Sequence, residues 1–202
     1  MLRSGDTIEN PVTGETLIFH RTAADTGGEY TLVECIVKPK GAVAGAHVHP
    51  NQTETFHVIS GRVGFRAGRR KVQAGPGETI TVEPGMVHKF WNAGDEDARF
   101  ICEVRPSLQF EELIETMYGL AQAGKTNRKG LPNPLRLAVI ANYHRDGLRA
   151  PYVPAILQRM ALAGGALTGR MLGFQPTYQR SIEARPARVR VGSLADARLL
   201  AA

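Results

Sequence analysis

The stretch Gly41–Gly61 reads GAVAGAHVHPNQTETFHVISG, and Gly77–Asn92 reads GETITVEPGMVHKFWN. Between them they hold three histidines and a glutamate, His47, His49, Glu54 and His88. His47 and His49 stand two apart in an apolar run, and strand side chains at i and i+2 share a face. Pro50-Asn51-Gln52-Thr53 reads as a turn, after which Glu54 shares a face with Phe56 and Val58. A hairpin so formed brings Glu54 opposite the histidine pair. In the second stretch His88, Phe90 and Asn92 share one face. Nitrogen and carboxylate donors suit Fe(II), Mn, Ni, Zn or Cu(II). On an octahedral ion, four such ligands leave two positions for water, substrate or dioxygen, as a Lewis-acid or oxygen-activating site requires.

Working outward, Thr7 to Val104 is a series of short apolar runs broken by Gly, Pro and Asn, the pattern of an all-β sandwich or barrel. Eight strands are expected, at 16–22, 29–38, 44–50, 54–60, 62–68, 78–83, 86–92 and 98–105. Residues 92–97 make a hairpin turn.

The spacing Gly41-x5-His47-x-His49-x4-Glu54-x6-Gly61, followed by Gly85-x2-His88-x3-Asn92, resembles the two motifs of the cupin superfamily. One departure is Glu83-Pro84-Gly85, in which the proline stands one position from its usual place; the His88 spacing is unaffected. The resemblance covers about residues 6–105. It implies a mainly β fold, a cupin jelly-roll β-barrel of the RmlC-like kind, here over residues 1–106. It also implies that His47, His49, Glu54 and His88 bind one divalent transition metal (Fe, Mn, Ni, Zn or Cu). Among similar cupins such a site supports oxygenation of phenolic or enolisable substrates, oxalate chemistry or isomerisation. The implied function is therefore a metal-dependent enzyme, a dioxygenase or isomerase, acting on a small organic substrate. The alternative is a non-catalytic barrel that binds or senses a small ligand and dimerises. A purely structural metal ranks last, because such sites are usually closed and tetrahedral.

After Pro106 the period changes from two to 3.6. Phe110, Leu113, Ile114, Met117, Leu120 and Ala121 form one helical stripe, Asn133-Pro134 reads as a helix start, and a third helix runs from Pro154 to Gly173. Residues 107–175 are thus a C-terminal α-helical extension. In its last helix Ala161, Gly165, Gly169 and Gly173 recur every four residues, a stripe expected to serve a homodimer contact or packing on the barrel. Arg159 and Arg170 leave too few residues between them to span a bilayer, so no membrane span is expected. Residues 176–202, rich in Ala, Arg and Pro, are expected to be a disordered basic tail.

Gly119–Thr126 fits GxxxxGK[ST] letter for letter, but a phosphate loop needs a strand before it and a helix after. Here a helix precedes and NRKGLPNP follows, so nucleotide binding is refused. The net charge of +6 draws heavily on the tail, and no nucleic-acid module is evident. The N-terminus lacks an apolar run, and Cys35 and Cys102 read as buried thiols; a cytoplasmic location is the expectation.

Among the remaining residues, Phe56 and Phe90 are expected to line an apolar pocket beside the ion. His57 should face away from the ligands, Trp91 should pack on a helix or a second subunit, and His20 and His144 read as ordinary polar residues. Glu34 or Glu103 would serve as a general base only if turned inward; outward placement is the stronger expectation for both.

Overall fold

The computed structural model describes residues 1–179. Ten strands are present: β1 Thr7–Asn10, β2 Glu15–Arg21, β3 Thr31–Val37, β4 His47–Val48, β5 Thr53–Ser60, β6 Val63–Ala67, β7 Arg70–Ala74, β8 Thr79–Val82, β9 Val87–Asn92 and β10 Ala98–Arg105. They form two antiparallel sheets, ordered β1-β2-β3-β10-β5-β8 and β4-β9-β6-β7. The expected eight strands are all found. The two additional ones, β1 and β7, are strands at sheet edges.

Alternation explains the core. Along β5, Glu54, Phe56 and Val58 are buried, and along β9 the buried residues are His88, Phe90 and Asn92. Leu17, Phe19, Val33, Cys35, Val37, Val63, Phe65, Phe100 and Val104 fill the same interior from both sheets, as two packed inner faces require. Cys35 and Cys102 are buried free thiols, as expected.

On the outer face of the smaller sheet, Trp91 lies over Gly64, its register partner on β6. A Cβ at Gly64 would stand 2.3 Å from the indole. Within the chain Trp91 therefore packs on a neighbouring strand, where a helix or a second subunit was expected.

The helices are α1 Ala23–Thr26, α2 Phe110–Gln122, α3 Pro134–Tyr143 and α4 Ala155–Met171. Phe110, Ile114 and Met117 of α2 pack on the barrel core, which also takes in Tyr118. The Asn133 side chain accepts from Leu135 N at 2.9 Å, and Pro134 occupies the first turn, so α3 starts where the sequence reading placed it. The phosphate-loop look-alike is the end of α2, with Gly124 at φ 67.

The glycine stripe of α4 is used within the chain. A Cβ at Gly165 would meet Ala138 at 2.9 Å, and one at Gly169 would meet Val139 at 2.7 Å and the Leu135 carbonyl at 2.8 Å. The stripe lets α4 lie against α3, which corrects the expected dimer or barrel contact for that face. The opposite side of α4 carries Ile156, Leu157, Met160, Leu167 and Met171, all exposed.

Past Gln175 the chain still packs: Tyr178 N donates to Thr116 Oγ1 at 3.2 Å, and the Tyr178 ring lies 4.6 Å from Lys125 Nζ. The rest of the expected basic tail, residues 180–202, lies outside the described residues.

Candidate metal centre

β4 pairs with β9 in the register His47↔His88, so these two imidazoles are cross-strand neighbours, with ring centroids 4.3 Å apart. His49 follows β4; its ring lies 5.0 Å from that of His47 and 5.4 Å from that of His88. Glu54 arrives from the other sheet, because β5 pairs with β8 and β10 and not with β4. The expected hairpin is thus a crossing between sheets. The turn at 50–52 carries the chain across the barrel, and Glu54 faces the histidines through the interior. The donor atoms of all four side chains lie within 4.8 Å of one another.

The three rings are oriented alike. His47 Nδ1 stands 3.0 Å from the Gly45 carbonyl and His88 Nδ1 3.0 Å from the Met86 carbonyl. His49 Nδ1 lies 2.9 Å from Gln52 Oε1 and 2.5 Å from the Gly147 carbonyl. A carbonyl oxygen can only accept, so each Nδ1 carries a proton, and in the neutral ring it is Nε2 that presents the lone pair. This is the tautomer that outer partners impose on metal-binding histidines.

Two buried atoms support the same reading. His88 Nε2 approaches Glu54 Oε2 to 2.7 Å, yet neither has a hydrogen-bond partner of acceptable geometry. Distance alone suggests an ion pair. We favour two ligand atoms facing a common point, because neither makes a hydrogen bond of acceptable geometry with the other. A buried unpaired polar group is costly, and a cation between these atoms would satisfy both.

The electrostatics suit a cation. Burial, reinforced by His49 and His88, holds the His47 pKa down to about 3, so His47 is neutral at pH 7. Burial pushes the Glu54 pKa up, but His49 and then His88 outweigh it and bring it down to about 2. Burial also opposes protonation of His88, while the Glu54 carboxylate draws its pKa upward on balance. His49, Glu54 and His88 are buried, whereas His47 is only partly covered. Solvent therefore reaches the cluster from the His47 side.

Other residues lie elsewhere. Phe56 and Phe90 sit in a ring cluster with Phe65 and Phe100, Phe56–Phe65 at 5.0 Å and Phe90–Phe100 at 5.3 Å. They form a packed floor and not the walls of an open pocket, because both are core residues. His57 faces away, its Nδ1 3.0 Å from Thr79 Oγ1. Glu34 points out of the barrel to His20 Nε2 at 3.0 Å and to Arg99; burial would raise its pKa, but these two partners lower it. Glu103 pairs with Arg105 Nε at 3.1 Å. Neither carboxylate is turned toward the histidines.

His144 departs from its expected ordinary role. It is 2% exposed, and its Nε2 lacks a hydrogen-bond partner. The sequence reading also missed Gln52 and Gly147, the partners of His49. Gln52 stands in the motif's variable spacer, and Gly147 is 98 residues from His49, where no spacing rule applies.

Comparison with known proteins agrees with this architecture. Residues 33–104 match the cupin domain family. That segment is a cupin domain. Its curated relatives include germin-like protein subfamily 3 member 2 of Arabidopsis thaliana, 32% identical over 110 residues, covering 45% of this chain and 48% of that protein. Germin-like protein 3-8 of Oryza sativa subsp. japonica is 39% identical over 66 residues, 30% of this chain and 29% of that protein. The chain thus spans less than half the length of these relatives. Among solved structures, a predicted oxalate decarboxylase from Thermotoga maritima is 18% identical with a TM-score of 0.46, covering 52% of this chain and 98% of its own. The Cnp3 cupin domain of Schizosaccharomyces pombe is 8% identical with a TM-score of 0.44, covering 53% and 72%. No helix among the described residues is long and apolar enough to cross a membrane.

Proposed function

We propose that this cupin is a divalent-metal enzyme acting on a small, oxygen-bearing organic substrate by oxygenase- or isomerase-type chemistry. The carrying observation is the convergence of one donor atom from each of His47, His49, Glu54 and His88 within 4.8 Å, with every Nδ1 turned to a carbonyl oxygen. His47, His49, Glu54 and His88 would hold the metal, which when bound supplies Lewis acidity for a substrate oxygen. The chain's own part is to keep three imidazoles unprotonated at Nε2, to exclude water with the Phe56–Phe90 floor, and to admit substrate beside His47. With Glu34 and Glu103 outside, Glu54 is the carboxylate within reach of a substrate proton.

The test is elemental analysis of protein purified without chelator, followed by oxygen uptake on phenols and diketones. About one Fe, Mn, Ni, Zn or Cu per chain with turnover supports the enzyme. A stoichiometric metal without turnover on any such substrate favours the ligand-binding barrel, and no metal after soaking in divalent ions overturns the enzyme and leaves that barrel.

We also propose that two copies pair through the exposed face of α4. Gly164 at its centre has open space around it. Antiparallel pairing about Gly164 sets Leu157 against Met171, apolar on apolar, in the self-complementary manner of a two-fold interface. Light scattering should give a dimer mass at micromolar concentration, and Leu167→Glu should give a monomer with unchanged metal content. A monomeric native chain would overturn the pairing.

A further inference from the structure

The family match ends at residue 104, yet one hydrogen bond to the metal cluster comes from the helical extension. The turn between α3 and α4 is bound to the barrel by its backbone. Val48 N donates to the Arg149 carbonyl at 3.0 Å, Arg149 N donates to the Val48 carbonyl at 2.9 Å, and Asn51 Nδ2 donates to the Asp146 carbonyl at 2.9 Å. So anchored, the turn brings the Gly147 carbonyl to His49 Nδ1.

Gln52 completes the arrangement. Its Nε2 donates to the Pro106 carbonyl at 2.9 Å and the Ser107 carbonyl at 3.0 Å. Those two acceptors fix which end of the amide is nitrogen, so Oε1 must face His49. Gln52 is 2% exposed, and a Cβ on Gly147 would press on its Oε1 at 3.3 Å. Gln52 thus ties the β4–β5 turn to the β10–α2 joint and shares His49 Nδ1 with the α3–α4 turn.

We infer that Gln52 and the Gly147 carbonyl of the C-terminal extension are positioning groups that hold His49 in the Nδ1–H tautomer, making the extension a working part of the metal centre. The inference rests on the metal reading above for its purpose, but the tautomer can be read without metal. His49 differs from His47 and His88, whose carbonyl partners Gly45 and Met86 lie two residues away in the chain. Its orientation depends on a segment nearly a hundred residues distant.

The experiment uses the full-length chain, Gln52→Leu and Arg149→Pro. The second variant removes the backbone donor that ties the turn to Val48. Ring-nitrogen NMR of the metal-free protein at pH 8 reads the tautomer, and competition with a chromophoric chelator reads zinc affinity. The native chain should show His49 protonated at Nδ1 alone. Each variant should show a mixture of tautomers and bind zinc about 10- to 100-fold more weakly, the usual loss when an outer partner of a metal-binding histidine is removed. Native His49 protonated at Nε2, or variants with unchanged tautomer and zinc affinity, would overturn the inference. A native chain with the expected tautomer that takes up no zinc would overturn the metal reading alone.

Discussion

His88→Ala should lose its metal, with zinc affinity at least about 100-fold below that of the native chain, since an inner ligand must cost more than the roughly 10- to 100-fold typical of an outer one. His88 is 1% exposed and its Nε2 lies 2.7 Å from Glu54 Oε2. Removing the ring leaves the carboxylate to hold the ion with His47 and His49 only. The variant should fold, because the loss is confined to the mouth of the barrel and the ring cluster of Phe56, Phe65, Phe90 and Phe100 is untouched. Circular dichroism and elemental analysis of the same sample separate folding from binding. His57→Ala is the matched control: His57 lies on the same strand as Glu54 but faces Thr79, and its metal content should equal that of the native chain. Equal metal in His88→Ala and the native protein would remove His88 from the ligand set.

The barrel was legible because its inner strands alternate. In β5 and β9 every second residue is buried, and glycine, proline and asparagine mark the turns between runs. Where alternation fails, so did the reading. In β7, Arg-Lys-Val-Gln-Ala, four of five residues are exposed, as suits an edge strand protected by charge, and nothing in its pattern says strand. The expected strand at 44–50 shrinks to His47–Val48, since only those residues pair with β9.

The clustering of His47, His49, Glu54 and His88 was legible because strand geometry and a resemblance pointed to the same positions. Which sheet carries each was not, because a Pro-Asn-Gln-Thr turn can close a hairpin or cross a sandwich with equal ease. The glycine stripe of α4 was rightly read as a close-approach surface and assigned the wrong neighbour, since four-residue spacing encodes proximity but not a partner. Gln52 and Gly147 needed the tertiary structure: their role arises only when the α3–α4 turn folds back onto Val48.

Acidification should destabilise the metal-free chain through His144, by up to about 3 kcal/mol. Burial holds the His144 pKa down to about 4 from 6.5. Glu112 Oε1 stands 3.9 Å from its Nε2, too far for a hydrogen bond to offset that burial. Above pH 6.5 His144 is neutral in both folded and unfolded chains, and its contribution to stability is complete. Between pH 6.5 and 4 the unfolded chain takes up a proton there and the folded chain does not, so stability falls as pH falls. Below about pH 4 both states are protonated and the loss stops. At about 1.4 kcal/mol per pH unit, that window of roughly 2.5 units gives the stated figure. Urea midpoints of chelator-treated native protein and His144→Gln, taken at pH 7.5 and 4.5, isolate the effect. Other groups titrate in both proteins, His47 among them with the same sign, and cancel in the difference. The native chain should lose about 3 kcal/mol more than His144→Gln over that interval. Parallel losses in the two proteins would mean that His144 takes up its proton within the fold, opening the α3–α4 turn to water at a pH where the barrel still stands.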